Sequence, residues 1–249
     1  FVHQARVALR RLRTGLRLFR PHLGSAWVAH WSAEWASVAD VLGRARNWDV
    51  LATEWLPGLL PEAQPGSPAQ ALHDWVHAER QQAARQASEV LAAPAHALRT
   101  LAFMRAVLRL APPSSHQTPD LAGWARNTLR QGHARLRPQA RRARHLGPEG
   151  RHDLRLALKR LRYTQEFLAS LLPPRRAARS TASLADAQAL LGELNDLSTA
   201  QDLLAQAPAG LSPVVIESLR AAQHSRLDDG LSALPAMELA LERAPLPWR

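Results

Sequence analysis

The sequence predicts an all-α fold made of two related halves, and three observations support this prediction. Alanine, leucine and arginine dominate the 249 residues whereas β-branched residues are sparse, which favours helix over strand. Apolar positions recur at intervals of three and four residues through most of the chain. An arginine-rich segment occurs twice in the same register, which indicates an internal duplication.

Clusters of proline and glycine divide the chain into its predicted helices, because neither residue is tolerated well inside a helix. The stretch 111–119 is the predicted junction between a first half, 1–115, and a second half, 116–249. The helix that follows this junction has no counterpart in the first half, which we therefore expect to lack its first helix. The predicted helices cover residues 2–20, 25–56, 69–92, 95–110, 120–145, 149–171, 176–206, 212–233 and 235–244.

The duplicated segment runs from Val2 to Arg13 and again from Arg151 to Arg162. Aligned without gaps, it pairs His3 with His152, Arg6 with Arg155, Arg10 with Lys159, Arg11 with Arg160 and Arg13 with Arg162. The register continues farther along, where the dipeptide at 42–43 falls opposite an identical Leu-Gly at 191–192. Two matches at one offset favour duplication and suggest that the two halves build one site for a polyanion.

Helical geometry sorts each copy into a basic stripe and an apolar stripe, because residues three and four apart share a face. The basic stripes consist of His3, Arg6, Arg10, Arg13 and Arg17 in the first copy and of His152, Arg155, Lys159 and Arg162 in the second. The apolar stripes consist of Leu9, Leu12, Leu16 and Phe19, and of Leu154, Leu158, Leu161 and Leu168. Each helix is predicted to pack through its apolar stripe and to present a row of cations.

The helix predicted at 120–145 carries a further basic stripe at steps of three and four residues. Its members are Arg126, Arg130, His133, Arg137, Arg141 and Arg144. Pro138 lies inside this segment, and its missing N–H and bulky ring should kink the helix or end it early.

The net charge of +11 indicates an anionic partner such as nucleic acid, an acidic membrane surface or a phosphate polymer. Nearly all the basic residues are arginine, and Lys159 is the only lysine in the chain. The planar guanidinium group of arginine binds two phosphate oxygens at once, so this composition favours a phosphate ligand. The absence of cysteine excludes disulfides and thiolate-bound metals. No apolar run approaches the roughly 18 residues that span a bilayer, so we expect a cytoplasmic location.

The motifs resemble the paired signature of the CHAD family, the conserved-histidine α-helical domain. Val2 to Arg13 fits the pattern V-H-x-x-R-V-x-x-R-R-L-R. His152 to Tyr163 fits H-x-x-R-I-x-x-K-R-L-R-Y, with Leu156 at the isoleucine position. Residues 42–50 resemble L-G-x-x-R-D-x-D-V with Asn47 in place of aspartate, and residues 191–197 resemble L-G-x-L-N-D-L.

This resemblance implies two four-helix bundles related by a pseudo-twofold axis, with a basic cavity between them that binds inorganic polyphosphate. It also implies association with polyphosphate granules, which is known for some members of the family. The implied lining consists of His3, Arg6, Arg10, Arg13, Arg17, His152, Arg155, Lys159 and Arg162, extended by Arg126, Arg130, His133 and Arg137. Glu166 stands opposite Arg17 and makes the two rows unequal. No catalytic residue, metal or cofactor is expected in this non-catalytic role.

A nucleic-acid-binding protein is the first alternative, because the net charge alone predicts weak, non-specific binding to nucleic acid. Such proteins commonly use exposed aromatic rings as stacking platforms. Trp27, Trp31 and Trp35 recur at four-residue spacing, which is more typical of core packing.

The second alternative is an enzyme, a phosphohydrolase or phosphotransferase acting on polyphosphate. Metal-assisted phosphoryl transfer needs acidic side chains that hold Mg²⁺. Asp49, Glu193 and Asp196 form no paired cluster in the sequence, and we expect them to orient arginines or cap helices. His73 and His77, one turn apart, could hold a metal but have no carboxylate support.

Overall fold

The computed structural model describes residues 2–59, 64–110 and 120–248. In these ranges every regular element is a helix, which confirms the predicted all-α fold. The chain forms two compact units, one of Phe1–Ser114 with Thr199–Ala222 and the other of Ser115–Ser198 with Gln223–Arg249. The segment 199–222, which the predicted halves assign to the second, therefore groups with the first unit. The internal duplication stays a prediction.

Nine helices longer than two turns organise the described residues. They are α1 (Val2–Leu18), α2 (Ser25–Val50), α3 (Pro68–Ala92), α4 (Pro94–Leu108), α5 (Leu121–Ala140), α6 (Pro148–Phe167), α7 (Pro174–Leu204), α8 (Pro213–Ser232) and α9 (Leu234–Arg243). A π-helical turn, Leu51–Trp55, continues α2, and short turns cover Arg20–Leu23, Leu56–Leu59, Ala143–His145 and Ala169–Leu171. None of the described helices is both long and apolar enough to cross a membrane.

The helix boundaries follow from capping residues and from proline. At the start of α3, the Ser67 hydroxyl accepts a hydrogen bond from the backbone N–H of Gln70 at 3.2 Å. Asp120 caps α5 in the same way through the N–H of Gly123 at 2.7 Å. The predicted effect of Pro138 is confirmed, because α5 ends two residues after it and a 3-10 turn follows.

The core of the first unit lies where α1 and α3 pack against α2. Leu9 and Leu16 of α1 are buried, as their stripe predicts. Phe19 belongs to the same predicted stripe but is 38% exposed, and Leu12 is half-buried. The predicted apolar stripe of α1 is therefore confirmed at Leu9 and Leu16 and is wrong at Phe19.

The tryptophans of α2 belong to this core. Trp31 and Trp35 are buried, with ring centroids 5.0 and 5.6 Å from that of Phe103 on α4. The prediction of core packing is confirmed for these two tryptophans, whereas Trp27, the third of the series, is half-buried with its ring centroid 6.0 Å from that of Phe103. These contacts join α4 to α2.

The core of the second unit is built on the apolar stripe of the second copy. All four leucines of this stripe, at positions 154, 158, 161 and 168, are buried, as predicted. Buried residues of the two neighbouring helices belong to the same cluster, namely Ala125 and Leu129 of α5 and Leu184, Ala187 and Leu191 of α7. The cluster therefore holds α5, α6 and α7 together.

An ion pair between a buried carboxylate and an exposed arginine fastens α9 to the turn after α5. Glu238 of α9 is only 6% exposed and accepts hydrogen bonds from the backbone N–H of Arg144 at 2.8 Å and from its Nε at 2.7 Å. Burial raises the pKa of Glu238, but the bonds from Arg144 outweigh it and hold that pKa below its usual value. The carboxylate therefore stays charged and keeps the two elements in contact.

Candidate polyanion-binding site

The first row of cations lies along α1, on a face next to the leucines that pack on α2. Arg6 Nη1 donates a hydrogen bond to the carbonyl oxygen of Gly43 at 2.9 Å. This bond anchors the row to α2, so the cations hold a fixed position relative to the first unit. Of the predicted members, His3 and Arg17 are exposed, whereas Arg6, Arg10 and Arg13 are half-buried.

Two cations of this row have no acidic partner in the described part of the chain. Neither Arg10 nor Arg13 forms an ion pair there, although both are half-buried. The Nε of Arg10 is buried and finds no hydrogen-bond acceptor among the described residues. A buried donor without an acceptor costs about 1–3 kcal/mol, so an anion that supplies oxygens here would be stabilised.

The second row lies along α6 and is held by polar side chains of α7. His152 Nδ1 lies 2.6 Å from Asn195 Oδ1, and Arg155 Nη2 lies 3.6 Å from Asp196 Oδ1. A glutamine of α7, at position 188, accepts a hydrogen bond from Arg162 Nε at 3.0 Å. These partners on α7 orient the cations of α6. In the same way, the hydrogen bond from Arg6 to the carbonyl oxygen of Gly43 orients the row on α1.

Arg162 of the second row has a counter-ion on its own helix. Arg162 Nη1 lies 3.2 Å from Glu166 Oε1, one turn along the same helix. The guanidinium of Arg162 also lies 5.0 Å from the ring centroid of Tyr163. Lys159, the lysine of the same row, is buried, with only 8% of its surface exposed. The inequality that Glu166 predicts from the sequence therefore has a structural basis, because its carboxylate supplies an internal counter-ion.

Aligned arginines meet aligned glycines in both units. Arg6 bonds the carbonyl of Gly43, and the Nε of Arg155 lies 3.8 Å from the place that a Cβ on Gly192 would occupy. A side chain longer than a methyl group at 192 would compete with the Arg155 side chain for the same space. In each unit an arginine of the repeated segment therefore lies beside the glycine of the repeated Leu-Gly, although the two contacts differ in kind.

Asp49 and Asp196 lie against arginines, as expected from the sequence. Asp49 accepts hydrogen bonds from Arg46 at 2.7 Å and from Arg80 at 3.0 Å. Burial raises the pKa of Asp49, but the two arginines outweigh it and keep that pKa below its usual value. Glu193 is exposed.

The candidate metal pair on α3 has no third ligand in the described ranges. The rings of His73 and His77 lie 4.2 Å apart, centroid to centroid. Within those ranges no group of three or more histidine, aspartate or glutamate side chains could hold a metal ion. Two neighbouring imidazoles alone fall short of the ligand sets that proteins commonly give to zinc.

The basic stripe of α5 faces a cavity of about 510 Å³ that α5, α7, α9 and the segment up to Trp248 enclose. Its lining includes Arg126, Arg130, His133, Arg137 and Arg141, and none of the α6 cations. The predicted role of this stripe in extending the polyphosphate site stays a prediction.

His133 sits at this cavity without a charge at neutral pH. Its Nε2 lies 3.0 Å from Gln165 Nε2, and Gln165 donates in turn to Ser180 Oγ at 3.0 Å. Burial lowers the pKa of His133 to about 4, since the charged imidazolium is poorly solvated there. His133 therefore acts in this unit as a neutral hydrogen-bonding group.

Protonation of His133 is expected to destabilise the protein in mild acid. The unfolded chain takes up this proton near pH 6.5 and the folded chain only near pH 4, so stability falls as the pH drops between these values. Between about pH 7 and about pH 4.5 the loss from this group should be about 2 kcal/mol. Urea denaturation at both pH values measures this loss for the wild type, and the same measurement on His133→Gln should show a smaller loss. An equal loss of stability in the variant would contradict this assignment.

Three residues of the site carry no clear signal in the sequence, namely Gln188, Gln165 and Trp248. Gln188 holds Arg162, Gln165 links His133 to α7, and Trp248 forms one wall of the α5 cavity. Glutamines on amphipathic helices carry no spacing signal of their own. A tryptophan beside two prolines, in the segment 244–248, is the one signal that could have drawn attention to that wall.

Comparisons with known proteins identify relatives that share the all-α fold described above. A family model described as the CHAD domain matches residues 1–205. The chain is 27% identical to the CHAD domain from the plant Ricinus communis, covering 98% of this chain and 82% of that chain with a TM-score of 0.81. PptA from Streptomyces chartreusis is 18% identical over 98% of this chain and 88% of its own, with a TM-score of 0.70, a likeness of fold alone. No curated protein matches the chain.

Proposed function

Because this chain belongs to the CHAD domain family, we propose that it binds inorganic polyphosphate through the cations of α1 and α6 and does not act on it as an enzyme. The proposal rests on two arginines of α1, Arg10 and Arg13, whose charge is not neutralised within the described ranges. Both are half-buried cations without an ion pair among the described residues, and the Arg10 Nε lacks an acceptor there. Phosphate oxygens supply both the negative charge and the acceptors.

The form of the rows favours a linear phosphate polymer. Steps of three and four residues separate successive cations by about 5 Å along a helix axis, so each row offers a line of positive charge. Each arginine–phosphate contact is a charge-assisted hydrogen bond that contributes about 1.5–3 kcal/mol. A longer polymer presents more phosphates to each row, so its affinity should exceed that of a short one.

The arginine partners of Asp49 and Asp196 support a non-catalytic role. Asp49 accepts hydrogen bonds from Arg46 and Arg80, and Asp196 lies beside Arg155. Carboxylates that neutralise arginines are poor candidates for holding the Mg²⁺ on which phosphoryl transfer depends. Association with polyphosphate granules would follow from the same binding.

Nucleic acid is the second candidate ligand, and the net charge of +11 favours weak binding to it. Single-stranded nucleic acid is commonly held by bases stacked on exposed aromatic rings. Trp31 and Trp35 are only 7% and 4% exposed, and they cannot serve as such a platform in the folded unit.

Competition between polyanions tests the proposal directly. Labelled long-chain polyphosphate is titrated against single- and double-stranded DNA of matched charge, at low and at physiological salt. We expect polyphosphate to bind about a hundredfold more tightly than either DNA and to remain bound at physiological salt. Equal competition by DNA, with both complexes lost as the salt rises, would show a generic basic surface and overturn the proposal.

A further inference from the structure

We propose that the α5 cavity is a separate site for a small amphipathic organic anion, with an acidic head and an aromatic or short acyl body. The cavity lies within the second unit and has a volume of about 510 Å³. This is within the roughly 300–1,000 Å³ that small-molecule sites commonly have. Its two contrasting walls, one of arginines and one apolar, specify the ligand.

The arginine wall carries positive charge that no carboxylate of the described ranges neutralises. Arg126, Arg130 and Arg137 form no ion pair with any carboxylate in the described ranges. The two glutamates of the lining are already engaged, Glu242 with Arg141 at 2.6 Å and Glu238 with Arg144. Because both carboxylates are neutralised by other cations, three arginines remain to attract an anionic group.

The apolar wall distinguishes this cavity from a site for inorganic phosphate chains. It consists of leucines from α9 and the following segment together with Trp248. The Trp248 ring contacts His133 edge to face, at 5.1 Å between centroids. A chain of phosphates has no apolar surface to bury against this wall, whereas an aromatic or acyl body does.

The two walls therefore suit a carboxylate, sulfonate or phosphate monoester that carries a compact apolar body. The head would lie among the exposed arginines, where charge-assisted hydrogen bonds form. The body would lie against Trp248, Leu241 and Leu246. This assignment does not depend on polyphosphate binding elsewhere.

Anilinonaphthalene sulfonate, an aromatic anion whose fluorescence rises in apolar surroundings, is a suitable probe for titration. We expect saturable binding to one site on the wild type, at least about tenfold tighter than binding of the neutral analogue phenylnaphthylamine. Arg130→Glu should weaken the sulfonate about tenfold, because it reverses one charge of the arginine wall. Ala134→Phe should abolish binding by filling the cavity, since Ala134 belongs to its lining.

Ala182→Phe is the matched control, because Ala182 is exposed on α7 and is not part of the lining. Sulfonate binding that persists in Ala134→Phe would place the probe elsewhere, for instance on the exposed leucines of α4, and would overturn the proposal. Equal binding of the neutral analogue would overturn it too, as would displacement by saturating polyphosphate. Loss of polyphosphate binding with the probe still bound would count only against the proposed function.

Discussion

Replacing Arg10 by glutamate is expected to lower the affinity for polyphosphate about a hundredfold. The change removes a charge-assisted contact of about 1.5–3 kcal/mol and adds repulsion between the new carboxylate and the phosphates. Arg10 is the informative position in the first row, because its Nε is buried without an acceptor in the described part of the chain. Arg6 is less suitable, since its bond to Gly43 also holds α1 on α2.

Arg85→Glu is the control for the change in net charge. Arg85 is exposed on α3, outside both rows, and its replacement alters the formal charge by the same amount. Fluorescence anisotropy with labelled polyphosphate at physiological salt should show less than about a threefold effect for this variant, because exposed charges are screened. Equal weakening by the two substitutions would mean that net charge, and not the row on α1, governs binding.

Replacing Trp35 by alanine is expected to lower the free energy of unfolding by about 3–5 kcal/mol, as for other buried tryptophans cut back to alanine. Trp35 is only 4% exposed and packs edge to face against Phe103 and His96, at 5.6 and 6.3 Å between centroids. The substitution leaves a cavity between α2 and α4. Urea denaturation followed by circular dichroism measures the loss.

Met104→Ala provides the comparison for this prediction, because Met104 lies one residue from Phe103 but is 54% exposed. Its effect on unfolding should stay within about 0.5 kcal/mol. Affinity of the folded Trp35→Ala protein for single-stranded DNA should match that of the wild type. A variant of unchanged stability that no longer binds DNA would instead identify Trp35 as a stacking residue.

The helices and their buried faces could be predicted from the sequence because both depend on local spacing. Leu154 and Leu158 are four residues apart, so any helix that buries one tends to bury the other, and both are fully buried. Phe19 and its aligned counterpart Leu168 each lie one residue beyond their helices, yet Phe19 is 38% exposed and Leu168 only 3%. Beyond the helix end, contacts with other elements decide the burial of a residue, and spacing alone does not predict it.

The candidate site could be predicted only as rows of cations, because the groups that orient them come from other helices. Gln188 reaches Arg162 from α7, and Asn195 reaches His152 from the same helix. The spacing of α5 places Arg126, Arg130, Arg137 and Arg141 in one stripe and all four line one cavity, whereas Arg144 of the same predicted stripe pairs with Glu238 and is not in that lining. It contains no information about the apolar wall that Trp248 and α9 place opposite them.

The sequence by itself determined the all-α class, the register of the two arginine-rich helices and the family to which they belong. These properties follow from residue type and from a repeat of three to four residues along one helix. Only the tertiary structure decided which cations are neutralised, such as Arg162 by Glu166, and which are not, such as Arg10. Such differences depend on side-chain positions and on burial, and only the packing of helices distant in the chain brings Trp248 to His133.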